Sequence, residues 1–163
     1  MRADLKRLNL LAIMENGEEG LIYLDNNATT KIAPEVFEEM VPYLTEYWGN
    51  PSSAYRFADK AREGVEKARE QIAALIGAQP KEIFFTSCGT ESNNAALTSA
   101  LRVTGRKKIV TTAVEHSSII NHAEQLSKQG IKTTFLPVDS ECRINIADLE
   151  KAVDEDTAIC SVM

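Results

Sequence analysis

The sequence has 163 residues, of which 44% are hydrophobic and 26% charged, a balance typical of one ordinary globular unit. Its formal net charge of −6 argues against nucleic acid as a partner, because nucleic-acid-binding domains carry a basic surface. No stretch reaches the roughly 20 apolar residues that a membrane-spanning helix needs, so we expect a cytoplasmic protein. The three cysteines form no CxxC pair and the two histidines lack metal-ligand spacing, so neither a disulfide framework nor a metal site is predicted.

Residues 1–20 are charged, contain glycine and differ from the chain that follows, so they are interpreted as an N-terminal extension. Met14 is an alternative start to Met1. The short apolar run at residues 8–14 is a poor signal peptide, because no small-residue cleavage site follows it. A short amphipathic helix packed on the domain is the alternative interpretation of this segment.

Two amphipathic helices are predicted next. Apolar side chains recur at helical spacing over residues 33–44, where Pro34 suits the first turn and Pro42 should end or kink the helix. A stronger helical pattern covers residues 58–76, and Gly77 is expected to end that helix.

From residue 83 onward, predicted strands and helices alternate along the chain. The strands are expected at residues 83–86, 108–113, 132–138 and 158–163, and the helices at 91–103, 117–129 and 146–153. This alternation predicts an α/β fold with a mainly parallel sheet flanked by helices, in which ligands bind at the carboxyl ends of strands. No closing element follows the last strand, so we expect a chain that stops within a domain and leaves a sheet edge exposed.

The most informative stretch is KEIFFTSCGTESNNAAL, at residues 81–97. A predicted strand leads through a tight turn into a helix, and this arrangement directs the unpaired N–H groups of the first helical turn towards one point. Gly89 lets a ligand approach the backbone, and the hydroxyls of Ser87 and Thr90 are available to complete an anion site. An ordinary strand-to-helix loop capped by Ser or Thr is the alternative.

Further motifs accompany this stretch, namely LDNNATT at 24–30, GNPSS at 49–53, EHS at 115–117 and SVM at 161–163. In this order and spacing they resemble the cysteine desulfurases of the NifS/IscS type, which belong to the class V aminotransferase group of fold-type I pyridoxal-phosphate (PLP) enzymes. The resemblance covers residues 21–163. It implies that this part is an N-terminal segment followed by the first part of a PLP-binding large domain.

The resemblance implies roles for three residues near the predicted anion site. Gly89 and Thr90 would hold the phosphate of PLP, and His116 would stack on the pyridine ring and take part in proton transfer. An imidazole suits both tasks, since it is flat and exchanges protons near neutral pH. The alternative for His116 is a strand-end histidine bonded to the backbone. His122 carries no motif and is expected on a helix surface.

The resemblance also places Asn26, Asn27 and Ala28 in a loop that approaches the substrate side of the site. An ordinary turn with Asx hydrogen bonding is nearly as good an interpretation. The chain departs from the family at Cys88, where relatives have glycine. We interpret Cys88 as a small buried substitute rather than a nucleophile, although a helix N-terminus lowers the pKa of a nearby thiol.

For the intact enzyme, the resemblance implies conversion of L-cysteine to L-alanine, with sulfur passing through an enzyme persulfide to acceptors such as iron–sulfur scaffold proteins. It also implies a homodimer. The lysine that binds PLP and the cysteine that carries the persulfide lie beyond these residues in the family, so we expect this chain alone to be inactive. The alternative functions are a selenocysteine lyase, another class V enzyme, or a non-catalytic phosphate-binding module.

Overall fold

The computed structural model describes residues 23–163, which fall into two compact units. The first unit extends to Ile83, and the second runs from Phe84 to Met163. The expectations for residues 1–20 and for Met14 lie outside the described residues. None of the helices between residues 23 and 163 has the length and apolar character that crossing a bilayer requires.

The first unit contains the two helices expected from the hydrophobic periodicity. Their bounds are α1 at Pro34–Thr45 and α2 at Asp59–Ile76, with short 3₁₀ helices at Arg56–Ala58 and Pro80–Glu82. Gly77 ends α2 as expected, in the left-handed conformation at φ +69°. The predicted helix over residues 33–44 is therefore confirmed. Of the two effects expected of Pro42, an end of the helix at that residue does not occur, because α1 continues to Thr45 and the Pro42 carbonyl accepts the N–H of Glu46 at 2.8 Å.

The second unit is the predicted alternation of helices and strands. Its elements are α3 (Gly89–Thr104), β1 (Lys108–Thr112), α4 (Ser117–Lys128), β2 (Lys132–Leu136), α5 (Ile146–Ala152) and β3 (Thr157–Ser161). The three strands are parallel in the order β2–β1–β3, with Val110 opposite Thr134 on one side and Cys160 on the other. The expected α/β fold with a parallel sheet is therefore confirmed.

The core of the second unit forms where α3 and α4 pack on the central strand. All five residues of β1 are buried. The apolar cluster around it consists of Leu97, Leu101, Ile109, Ile119 and Leu126. Burying a Leu or Ile side chain contributes about 1.5–3 kcal/mol, so this cluster holds α3 and α4 against the sheet and thereby places their N-termini.

The strand expected at residues 83–86 is wrong. Ile83 is extended, with φ −95° and ψ 123°, but residues 83–86 belong to no strand of the described sheet. An extended segment becomes a strand only when a neighbouring strand completes its backbone hydrogen bonds, and β1, β2 and β3 pair with one another instead. Thr86 therefore does not end a paired strand, whereas His116 does follow β1.

Candidate active site

The turn before α3 presents backbone donors at a helix N-terminus. Cys88 is the N-cap residue, and α3 begins at Gly89. The first N–H groups of a helix have no partner within the helix, and the helix dipole makes this end positive. A Cβ added at Gly89 would meet no atom within 4 Å, so the backbone there is open to a ligand. The local geometry is that of an anion site.

The hydrogen-bond donors of Ser87 are already used within the protein. Its backbone N–H and its hydroxyl each donate to Oε2 of Glu91 at 2.7 Å. The Ser87 hydroxyl, and next its N–H, lower the pKa of the Glu91 carboxyl. Because this hydroxyl is engaged by a carboxylate, an anion at the turn would depend mainly on the donors of Gly89 and Thr90.

Cys88 is exposed, so the expectation that it is a buried substitute for glycine is wrong. Its backbone is extended at the N-cap, with φ −168° and ψ 168°, and the turn faces solvent. The N–H of Glu91, then the hydroxyl of Ser87, then the N–H of Thr90 lower the pKa of the Cys88 thiol. The expected effect of the helix N-terminus on this thiol is therefore confirmed.

A polar cavity of about 320 Å³ lies between α3 and α4. Its lining includes Thr90, Asn94, Ser117, Ser118, Asn121 and His122. Within residues 23–163, Oδ1 of Asn94 is buried and has no hydrogen-bond partner. A buried acceptor normally has a donor such as water as its partner, and it would not bind a phosphate oxygen. The residues present fit a phosphorylated ligand at the start of α3 through the open backbone at Gly89.

His116 is the N-cap residue of α4 and is exposed. Its Nδ1 accepts the backbone N–H of Ser118 at 3.1 Å and lies 2.8 Å from the Ser118 hydroxyl. The bond to the backbone that was the alternative interpretation of His116 is therefore present. It leaves Nε2 for further contacts. Ser118 in turn accepts a hydrogen bond from Nδ2 of Asn93 at 2.8 Å, which links α4 to α3.

Two residues contribute contacts that the sequence did not indicate. His122 is only partly exposed on the helix surface, and its Nε2 lies 2.9 Å from the hydroxyl of Thr98 on α3. Glu115 is buried and accepts hydrogen bonds from the Thr112 hydroxyl at 3.2 Å and from the backbone N–H of Met163 at 2.5 Å. The contacts of His122 with Thr98 and of Glu115 with Met163 join segments far apart in sequence, and no local pattern signals them.

Residues 26–28 form a turn in the first unit. The N–H of Ala28 donates to the carbonyl of Asp25 at 3.0 Å, and the hydroxyls of Tyr23 and Thr29 lie 2.5 Å apart. The turn expected as the alternative for this motif is therefore present, and a backbone hydrogen bond closes it rather than an Asx side chain. Gly89, Thr90 and His116, by contrast, all belong to the second unit.

The profile of the family described as "Aminotransferase class-V" matches residues 22–163. The chain belongs to the class-V aminotransferase family. The family expected from the motifs is therefore confirmed. Class-V aminotransferases of the cysteine desulfurase type are PLP-dependent enzymes.

Curated relatives of this class-V chain carry desulfurase names. "Cysteine desulfurase 2" of Trichormus variabilis is 53% identical over 144 residues, which are 88% of this chain and 36% of the relative. "Cysteine desulfurase IscS" of Clostridium botulinum is 44% identical over 145 residues, which are 87% of this chain and 36% of the relative. The chain thus spans little more than a third of the length of these relatives.

Solved structures agree with the assignment of this class-V fold. A "NifS-like protein" has a TM-score of 0.79 and 42% identity, over 85% of this chain and 38% of that one. "SspA in complex with cysteine" has a TM-score of 0.76 and 31% identity, over 86% of this chain and 41% of that one. The fold of the described residues is that of the N-terminal part of these proteins.

Proposed function

We propose that the chain is the N-terminal part of a PLP-dependent cysteine desulfurase. The observation that carries the proposal is the 53% identity to a relative named cysteine desulfurase over nearly the whole chain. The donor-rich start of α3 supports it, because a doubly charged phosphate is stabilised by unpaired N–H groups and by the positive end of a helix dipole.

The residues of this chain would bind and orient the cofactor. The backbone N–H groups of Gly89 and Thr90, with the Thr90 hydroxyl, would donate to the phosphate through charge-assisted hydrogen bonds. His116 would pack its ring on the cofactor and present its Nε2–H as a hydrogen-bond donor, since Nδ1 accepts the N–H of Ser118. When bound, PLP supplies an electron-withdrawing ring that stabilises negative charge on substrate carbon.

The overall reaction is proposed for the whole protein. Sulfur would leave the Cβ of L-cysteine for an enzyme thiol, which becomes a persulfide, while the carbon skeleton takes up the thiol's proton and is released as L-alanine. An iron–sulfur scaffold or another acceptor would receive the sulfur. Four further parts of this proposal come from the family resemblance: the PLP-binding lysine, the persulfide-forming cysteine, the homodimer, and a substrate-side role of Asn26, Asn27 and Ala28. The cytoplasmic location comes from the composition of the sequence.

The proposal is tested with Thr90→Ala in the whole protein. Losing one hydrogen bond to a charged phosphate should weaken PLP binding roughly ten- to hundredfold and leave binding of pyridoxal, which has no phosphate, nearly unchanged. Titration of the apoprotein with each compound measures the two affinities. Alanine release from L-cysteine, and from L-selenocysteine, measures the activity.

Thr104→Ala, at the opposite end of α3, is the matched control and should leave both affinities unchanged. The phosphate assignment is overturned if Thr90→Ala weakens both compounds equally. The desulfurase assignment is overturned if the whole protein with PLP releases no alanine from L-cysteine, and release from L-selenocysteine alone would identify a lyase instead.

A further inference from the structure

The hydrogen bonds of His116 determine which of its two ring nitrogens carries a proton. Nδ1 of His116 accepts the backbone N–H of Ser118 at 3.1 Å, and a nitrogen that accepts a hydrogen bond carries no proton. A neutral imidazole with an unprotonated Nδ1 carries its proton on Nε2. The N-cap geometry of α4 therefore selects one tautomer of His116.

The Ser118 hydroxyl reinforces this selection. Ser118 is only 7% exposed, and its oxygen accepts the amide N–H of Asn93 at 2.8 Å. The same oxygen lies 2.8 Å from Nδ1 of His116. Because Nδ1 has no proton to give, the serine hydroxyl donates its proton to that nitrogen. The bonds thus run in one direction, from Asn93 to Ser118 to His116.

The amide of Asn93 supports this direction. Its NH₂ group is a donor, so the Ser118 oxygen accepts there and keeps its own hydroxyl proton for Nδ1. A ring turned over about its Cβ–Cγ bond would place a carbon where Nδ1 now lies, facing both the N–H and the hydroxyl of Ser118. That orientation loses the hydrogen bonds that hold the ring, so the network opposes it.

We propose that Ser118 and Asn93 are positioning residues that hold the His116 ring in one orientation with its proton on Nε2. This inference rests on the proposed function, in which His116 packs on the cofactor and its Nε2–H is the hydrogen-bond donor that remains available. Neither residue touches the reacting atoms; both act through the histidine. Their effect is to reduce the entropy that the ring loses when it takes its catalytic orientation.

The test follows the ring nitrogens directly. The chain has two histidines, so ¹⁵N-histidine labelling gives a simple two-bond proton–nitrogen correlation spectrum, which His122→Gln assigns. In the unaltered full chain we expect an unprotonated Nδ1 for His116. Ser118→Ala should move the Nδ1 resonance and broaden the ring signals, since one donor is lost and the ring samples other orientations. Ser118→Thr should restore both.

Asn93→Asp is the second variant and preserves shape. The carboxylate accepts where the amide donated, so the Ser118 hydroxyl turns towards it and the Nδ1 resonance should move as in Ser118→Ala. This variant decides the question if Ser118→Ala does not fold. Ser127→Ala, an exposed serine on the same helix, is the control and should leave the spectrum unchanged.

In the loaded whole enzyme, Ser118→Ala should lower kcat about tenfold with little change in KM, which corresponds to one lost hydrogen bond. A protonated Nδ1 in the unaltered chain, or an Nδ1 resonance unmoved by both Ser118→Ala and Asn93→Asp, overturns the inference. These ring signals are read without PLP or substrate. The inference and the desulfurase proposal can therefore fail separately.

Discussion

The two cysteines that differ most in their surroundings are Cys88 and Cys160. The thiol of Cys88 lies at the N-terminus of α3, where the N–H of Glu91 is the largest cause of its lowered pKa. The thiol of Cys160 lies on β3, where burial and then the charge of Glu115 raise its pKa. Because the thiolate is the nucleophile, the two side chains should react at different rates at the same pH.

We expect iodoacetamide to alkylate Cys88 faster than Cys160 at neutral pH. The reaction of Cys88 should also begin at a lower pH than that of an ordinary thiol, and that of Cys160 at a higher pH. The measurement is the alkylation rate against pH, followed by mass spectrometry of peptides that contain each residue.

Denatured chain is the control, since unfolding removes both environments and should make the two rates similar. Equal alkylation rates in the folded chain would contradict the opposite pKa shifts of the two thiols. A faster reaction of Cys160 would contradict them more strongly, because both thiols are exposed and a difference in access would not explain it.

At the scale of elements, the packing of α1 on α2 explains an unfavourable residue in a helix. Glycine in a helix interior costs about 1 kcal/mol relative to alanine, so Gly64 should weaken α2. A Cβ at this position would fall 2.5 Å from Cε1 of Tyr43 and would also clash with its hydroxyl oxygen. Gly64 thus leaves the room that the Tyr43 ring of α1 occupies.

We therefore expect the effect of Gly64→Ala to depend on Tyr43. In the unaltered chain the new methyl group must displace the ring, which should remove most or all of the gain in helix propensity. In a Tyr43→Ala background the same change should raise the free energy of unfolding by about 1 kcal/mol. Urea denaturation of the four chains measures the coupling, and an equal effect in both backgrounds would show that the contact is unimportant.

Residues 83–86 show that strand-like residues do not by themselves make a strand. Their apolar, aromatic character is typical of a strand, yet Phe84 is 82% exposed and the segment has no place in the described sheet. Strand propensity describes how a residue fits a sheet that already exists. Whether a neighbour is present is decided by distant parts of the chain.

At the scale of the whole molecule, one ion pair connects the central strand to the segment before β3. Lys108 begins β1 and is only 4% exposed, and its ammonium donates to Oδ2 of Asp154 at 2.6 Å. The hydrogen bond from Lys108 is the largest cause of the lowered pKa of the Asp154 carboxyl. Removing the carboxylate would leave a buried ammonium with less compensation.

This pair predicts an acid-sensitive part of the stability. A carboxyl whose pKa is lower in the folded state contributes stability above the pH at which an unfolded aspartate titrates, about 3.9, and loses it as the pH falls through the folded-state pKa. Asp154→Asn should therefore lower the free energy of unfolding at pH 7. The difference from the unaltered chain should shrink as the pH falls below about 4.

Urea denaturation over a pH series measures this difference. Asp148→Asn is the matched control, because its carboxylate is on the surface and lies 3.9 Å from the exposed Lys151. It should change stability little at any pH. A difference for Asp154→Asn that stays constant down to acidic pH would show that charge at this position does not matter.

Local sequence determined most of the elements and the turn at which the anion site is proposed. The helical spacing of apolar residues predicted α1 and α2, and the alternation after residue 83 predicted the parallel sheet. The glycine-containing turn before α3 predicted the exposed donors at Gly89. These features depend on residues that are neighbours in the chain, since backbone hydrogen bonds in helices and turns join residues a few positions apart.

Tertiary structure alone decided which side chains meet. Asn93 and Ser118 are 25 residues apart, and Glu115 and Met163 are 48 apart, yet each pair forms a hydrogen bond. The exposure of Cys88 and the space at Gly64 likewise depend on how separate segments pack. Such contacts follow from the arrangement of whole elements in space, which no short stretch of residues encodes by its spacing.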